Sequence, residues 1–276
     1  MKITMLVENT SAKSTIGAQH GLSLLIEIGD KTILFDMGSD DLFAKNAAVL
    51  GIDLARVDLA VLSHGHWDHG GGIKTFFSLN DHAPLYVRRG AFGPYYSLRG
   101  DGVYHPAGLD HALADDGRIV VVDDELSLGE GITLFGGIKD VHGLPRGNRT
   151  LFERVGDAYA VDGFSHEQYL ALEEGETLVL ITGCSHRGIA NILEAVHTKW
   201  KRWPDTVIGG FHLMDYTEDD EAELAAIADH LLSTKATFHT CHCTGEESYT
   251  VLKRIMGESL HWASGGMTYR IEERMR

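Results

Sequence analysis

The segment LSHGHWDHGGG, residues 62–72, sets three histidines and an aspartate within six positions, directly after an apolar run and directly before three glycines. Neutral imidazole and carboxylate both bind zinc, manganese and iron, so the residue types point to a metal without choosing which. His64 and His66, two positions apart on a turning loop, can grip one ion, while Asp68 and His69, displaced around the turn, can grip a second. The spacing suits two divalent ions better than one. Gly65 and glycines 70–72 would let the backbone pass close beside those ions, and the latter would open a helix near Ile73. A chain with 16 histidines yields this arrangement by accident about half a percent of the time, so a built site is the better reading.

Three later segments repeat the theme. Cys184 and His186 follow LVLIT, His212 follows TVIGG, and His242 follows ATFHT. In open α/β architectures the carboxyl ends of strands converge on the ligand crevice, so four separate segments are expected to deliver ligands to one place. His142 is a weaker candidate for a further histidine ligand, because it stands in a loop context. His239, Cys241 and Cys243 alternate against His242 and are expected to face the other side of a strand and pack. The remaining histidines, among them His20, His82, His105, His111, His197, His230 and His261, are scattered and read as ordinary surface or core residues.

The elements that must position these side chains are short apolar strands alternating with amphipathic helices. KITMLVEN reads as a strand, and LSLLIEIGDKTILFDMG as a hairpin turning at Gly29-Asp30. Residues 40–50 carry apolar positions at helical spacing, and VDLAVLS is the continuous apolar run of a strand buried on both faces. After residue 167 the order restarts with a second hairpin and then alternates helix and strand to the end. Two sheets packed face to face with helices outside, an αββα order, accommodate both halves in one α/β domain spanning residues 1–276. Residues 90–118 and 142–166, rich in Gly, Tyr, His and Asp, read as loop insertions that serve as substrate walls.

Composition narrows the classes. The chain has 276 residues and 43% hydrophobic content, enough for a large core. A formal charge of −16 and no long basic run argue against nucleic acid as partner, whereas bound ions could still make one pocket attractive to a small anion. The first ten residues lack the form of a secretory signal, and no run approaches a membrane span, so no membrane partner and a cytoplasmic location are expected. Three cysteines, two of them at 241 and 243, read as reduced thiols.

HGHWDH resembles the His-x-His-x-Asp-His signature of the metallo-β-lactamase superfamily, carried here by His64, His66, Asp68 and His69. LFDMG is similar to that family's early strand motif, whose aspartate, here Asp36, supports the site without binding metal. TGCSHRGIANIL, VIGGFHL and CHCTG resemble one branch, that of the dihydropterin-6-methyl ribofuranosylaminobenzene phosphate synthases and related bacterial metallohydrolases. The resemblance implies a four-layer αββα sandwich of two mixed sheets flanked by helices, holding two divalent ions, zinc before manganese or iron. His64 and His66 would hold the first ion; Asp68, His69 and His242 would hold the second. Where the superfamily expects a histidine and a bridging aspartate, this chain offers Cys184 and His186, with His212 as a further ligand or substrate contact.

Two closely spaced cations lower the pKa of a shared water toward neutrality and polarise the bond attacked. Asp68, which would orient that water, and His186 are the catalytic candidates. The expected reaction is hydrolysis of a small ester, phosphoester or lactone, the substrate being a small molecule that carries a phosphate in one version. The alternatives are a synthase joining a dihydropterin diphosphate to an aminobenzene ribofuranosyl phosphate, and a non-catalytic or redox role. Di-iron redox relatives resemble His-x-Glu-x-Asp, and His66 occupying the glutamate's place counts against redox. Trp67, Phe92, Tyr95, Tyr96 and Phe211 are available to stack on a pterin, and Arg146, Arg149 and Arg187 to hold an anionic group, although surface solvation is the default for each arginine. Ligand spacing leaves the oligomeric state open.

Overall fold

A computed structural model describes residues 1–272 except 124 and 130. The chain divides into two compact units. The first comprises Met1–Asp124, Arg149–Gln168 and Ser264–Glu272; the second comprises Glu125–Asn148 and Tyr169–Ala263. Among the described residues no helix is long and apolar enough to cross a membrane.

The first unit is built on a seven-stranded mixed sheet. Its strands run in the order Thr268–Arg270, Lys2–Val7, Ser23–Ile28, Lys31–Phe35, Leu59–Val61, Leu85–Arg88 and Ile119–Val122. The first four pair antiparallel. Ile28 faces Lys31 across the turn at Gly29, whose φ of 55° is the left-handed conformation that a tight hairpin requires. The last four pair parallel. Helices Leu42–Val49 and Ile73–Leu79 bury Phe43, Ala47, Ile73 and Phe76 against Leu6, Leu25, Leu34, Ala60 and Leu62 of the sheet. Each buried aromatic or branched aliphatic side chain stabilises this face by roughly 1.5–3 kcal/mol.

The segments read as loop insertions are more ordered than expected. They contribute the four strands Ala158–Val161, Leu151–Val155, Tyr95–Leu98 and Tyr104–Pro106 of a small antiparallel sheet. Gly, His and Pro between the strands obscured their alternation, and aromatic pairs hold the sheet together: Tyr104 stacks on Tyr159 at 3.9 Å, and Tyr96 meets Tyr159 edge-on.

The second unit has its own seven-stranded mixed sheet, in the order Leu260–Trp262, Thr237–Thr240, Thr206–Gly209, Thr177–Ile181, Gln168–Glu174, Ile132–Gly136 and Leu126–Gly129. The first four are parallel, and Thr177–Ile181 closes the expected hairpin with Gln168–Glu174. Helices Ile189–Trp200, Glu221–Ser233 and Glu246–Met256 cover it through Ile192, Val196, Leu224, Leu231, Val251 and Leu252. In both units the candidate ligands follow carboxyl ends of parallel strands, where the backbone leaves the sheet and is free to turn side chains outward.

Candidate metal centre

In the first unit, the parallel strands Lys31–Phe35 and Leu59–Val61 are neighbours, so their carboxyl ends bring Asp36 beside Ser63. Asp36 is fully buried and takes a left-handed φ of 56°; its Oδ1 accepts the Ser63 N–H at 2.7 Å, and its Oδ2 accepts the Ser63 hydroxyl at 2.7 Å. The same Oδ2 lies 2.6 Å from His69 Nδ1. A carboxylate only accepts, so the His69 proton sits on Nδ1 and the lone pair on Nε2 is left for a cation. The expected supporting role of Asp36 has a concrete geometry.

His64 and His66 stand on the loop before the short helix Trp67–Gly70. The His64 Nδ1 lies 2.9 Å from Ser63 Oγ, whose own proton goes to Asp36. His64 therefore donates through Nδ1 and presents Nε2, which is 3.1 Å from His66 Nδ1. Two nitrogens bound at about 2.0–2.1 Å to one tetrahedral zinc stand about 3.3 Å apart. The pair thus has nearly the bite of a two-histidine grip, and the residues fit the ion that the motif implies. Burial holds His64 well below the ordinary imidazole range and pushes His66 down to about 3, so both rings are in the neutral form that binds metal.

Asp68 is almost buried, with Oδ2 3.7 Å from His69 Nε2 and 3.2 Å from His20 Nε2. His20, read from sequence as an ordinary residue, thus reaches the ligand cluster. The glycines after His69 open the helix Ile73–Leu79, as expected, and also let a neighbouring segment approach. A Cβ on Gly71 would lie 2.0 Å from the Ser39 carbonyl oxygen, so the glycine admits the chain that follows Asp36.

Sequence reasoning missed a pair in the same unit. His166 is fully buried, accepts the Gly65 N–H on Nδ1 at 3.0 Å and places Nε2 3.0 Å from Asp162 Oδ2. Both ring nitrogens are engaged, which makes His166 a clamp on the loop between His64 and His66. His66, Asp162 and His166 present ligand atoms within 4.8 Å of one another. Burial opposes ionisation of Asp162, but His166 and the Phe164 N–H outweigh it and hold the carboxyl below its usual range. Only a D-x-x-x-H spacing inside an apparent loop signalled the pair.

In the second unit, Cys184, His186, His212 and His242 are all at least nine-tenths buried. His186 Nδ1 lies 3.1 Å from Asn148 Oδ1, and Asn148 returns its amide N–H to the His186 carbonyl at 2.8 Å. Asn148, also missed from sequence, fixes the tautomer with the proton on Nδ1 and the lone pair on Nε2. The His186 and His212 rings are 4.1 Å apart. The expectation that Cys243 packs on the far side of a strand fails. The strand ends at Thr240, His242 turns with φ 53°, and Cys243 in the following turn approaches Cys184 and His212. Burial opposes ionisation of the Cys243 thiol, but contacts with Cys184 and His212 outweigh it and set it well below the ordinary range.

Other candidates have different employment. His142 is exposed and forms a surface group with Glu194, 3.4 Å away, and His230. Arg146 pairs with Asp220 and lies over the Tyr216 ring, Arg187 donates to the Ile138 carbonyl, and Arg149 is exposed. Phe211 is fully buried in the core of its unit and Tyr95 packs on His166 at 4.0 Å, so these two are wall material rather than free stacking faces. Tyr96 holds the small sheet, Phe92 packs partly buried on the first unit's core, and Trp67 is 38% exposed.

The family model described as the metallo-beta-lactamase superfamily matches residues 16–185. The chain is 29% identical over 262 residues to the 7,8-dihydropterin-6-methyl-4-(beta-D-ribofuranosyl)-aminobenzene-5'-phosphate synthase of Methanocaldococcus jannaschii, covering 89% of this chain and 88% of that one. It is likewise 29% identical over 256 residues to the uncharacterized protein MJ0448 of the same organism, covering 92% and 94%. Among solved structures, Tm1679, a metal-dependent hydrolase of the beta-lactamase superfamily, superposes with a TM-score of 0.83 at 30% identity over 99% of this chain and 100% of the other.

Proposed function

The chain belongs to the metallo-β-lactamase superfamily of enzymes, and from that premise we propose that it is a metal-dependent hydrolase of a small ester, phosphoester or lactone. The observation that carries the reading is the pair of buried, neutral imidazoles with His64 Nε2 and His66 Nδ1 3.1 Å apart. Two divalent ions, zinc before manganese or iron, would be held through His64 and His66, and through Asp68 and His69, with His186 and His242 completing the set. Such ions supply hydroxide at neutral pH and polarise the bond to be cleaved.

The chain's own residues do the rest. Asp36 and Ser63 hold the ring orientations of His69 and His64, and Asn148 does so for His186. Asp68, which has one carboxylate oxygen near His20 and His69, would orient the attacking water and take up its proton. The substrate is a small molecule, with or without a phosphate.

One observation favours a second reading. The relative of 29% identity that covers most of both chains is a synthase, which makes condensation of a dihydropterin diphosphate with an aminobenzene ribofuranosyl phosphate the competing activity. Purified protein loaded with zinc or manganese is assayed against generic phosphodiesters and lactones, and in parallel against that substrate pair. Turnover of the generic esters supports the hydrolase; turnover of the pterin pair alone overturns it. A metal-to-protein mole ratio near two supports the two-ion arrangement, and a ratio of one or none contradicts it.

A further inference from the structure

We propose that His142, Glu194 and His230 form a further metal-binding site, distinct in its residues from the buried centre, that takes one borderline divalent cation of the zinc(II) type. His142 stands on the loop that follows the strand Ile132–Gly136, Glu194 on the helix Ile189–Trp200, and His230 in the last turn of the helix Glu221–Ser233. All three belong to the second unit. One ligand atom from each lies within 4.8 Å of the others, and none of the three enters the ligand groups of the buried centre.

The spacing is what argues for an ion. His142 Nε2 and Glu194 Oε1 stand 3.4 Å apart. A direct charge-assisted hydrogen bond would draw them to about 2.7–2.9 Å, whereas two ligands at about 2.0–2.2 Å from one tetrahedral zinc stand about 3.4 Å apart. The His230 ring lies 4.7 Å from that of His142, and its Nε2 is closed off from solvent with no hydrogen-bond partner among the described residues. A nitrogen left so costs free energy, and a cation among the three side chains would take its lone pair. The loop is also built to hold His142 in place. The backbone N–H groups of Val141 and His142 donate to Asn191 Oδ1 at 2.8 and 2.7 Å, and Asn191 returns an amide N–H to the Gly143 carbonyl at 2.9 Å. Asn191 is buried and stands one helical turn before Glu194, on the same face, so the staple sets His142 beside the carboxylate.

Two imidazoles and one carboxylate are the mixed nitrogen and oxygen set that suits zinc-like ions, with a fourth position left to water. Binding is ligation alone: no bond of the chain breaks and no electron changes hands. The ion would tie the loop to both helices, and the same loop runs on to Asn148, the partner of His186. The side chains of His142 and Glu194 are each 36% exposed, so this ion exchanges with added metal and is counted on top of the metal that survives purification. The site uses none of the ligands of the proposed hydrolase.

Zinc(II) is the probe, and acylation of imidazole by diethyl pyrocarbonate, read at each histidine by peptide mass spectrometry, is the readout. Added zinc is expected to protect His142 and to leave the exposed His111 as reactive as before. Loss of an outer partner of a ligand costs about 10–100-fold in affinity, so Glu194→Gln, which removes a ligand, should raise the zinc needed for half-protection at least as much. Equilibrium dialysis at added zinc should find one equivalent fewer on Glu194→Gln than on the wild type. His64→Asn tests the buried centre separately: it should keep the protection of His142, whether or not it loses metal elsewhere. The proposal is overturned if His142 reacts equally with and without zinc, if Glu194→Gln is protected at the wild-type zinc concentration, or if the protection disappears in His64→Asn.

Discussion

His69 Nδ1 lies 2.6 Å from Asp36 Oδ2, and neither side chain is exposed at all. A single carboxylate accepts from this ring, from the Ser63 hydroxyl and from the Ser63 N–H. Asparagine has one acceptor oxygen for these three donors, so Asp36→Asn leaves at least one of them unmet and releases the His69 tautomer. Metal affinity is expected to fall by about 10–100-fold, measured by competition with a chromogenic chelator. Unchanged affinity would remove Asp36 from the supporting role.

The clamp on the loop between His64 and His66 makes a second prediction. Asp162→Asn removes the charged partner of His166 and is expected to lower stability by about 1.5–3 kcal/mol, read from urea unfolding. In the folded fraction it should also weaken metal binding, because the Gly65 N–H bond to His166 sets the loop. A variant with lowered stability and intact metal affinity would confine His166 to a structural part.

Gly65 is tested by its surroundings. A Cβ there would lie 2.1 Å from the Ala91 carbonyl oxygen, a backbone atom that cannot swing away. Gly65→Ala is expected to destabilise the protein by about 1–3 kcal/mol or more and to abolish the His64–His66 grip. Calorimetry and metal content check both effects, and a variant matching wild type in both would contradict the backbone placement.

Acid sensitivity should report His239, which lies 5.2 Å from the His261 ring. Burial, and then the neighbouring His261, push His239 down to about 4. Because the folded-state value is below the unfolded one, near 6.5, the unfolded chain binds the proton first as pH falls. The contribution of this ring to stability is complete above pH ~6.5 and is lost as pH falls toward about 4. Partial solvent access limits it to about 1–2 kcal/mol. His239→Gln should flatten the unfolding midpoint across that window, and an unchanged pH profile would refute the assignment.

Much of the fold was legible. The hairpin at Gly29-Asp30, the helix within residues 40–50 and the buried strand before Ser63 follow from turn chemistry and hydrophobic period, and all three are present. The small antiparallel sheet was not, because its strands are short, partly exposed and interrupted by glycine and proline, so no clean alternation marks them. Cys243 departs from the expected strand for a related reason: the strand ends at Thr240, and the alternation that the sequence suggests beyond it is replaced by a turn.

The sequence by itself determined the inventory of candidate ligands, since His64, His66, Asp68 and His69 are neighbours along the chain and local spacing governs how a loop can present them. It also placed Cys184, His186, His212 and His242 after apolar runs, because strand ends are written in local hydrophobicity. Only the tertiary structure decided which partners hold those ligands: Asp36 on His69, Asn148 on His186, His166 on Gly65 and Cys243 beside Cys184 and His212. These pairings join residues dozens of positions apart through strand register, and register is settled by packing of the whole sheet, which no local pattern encodes.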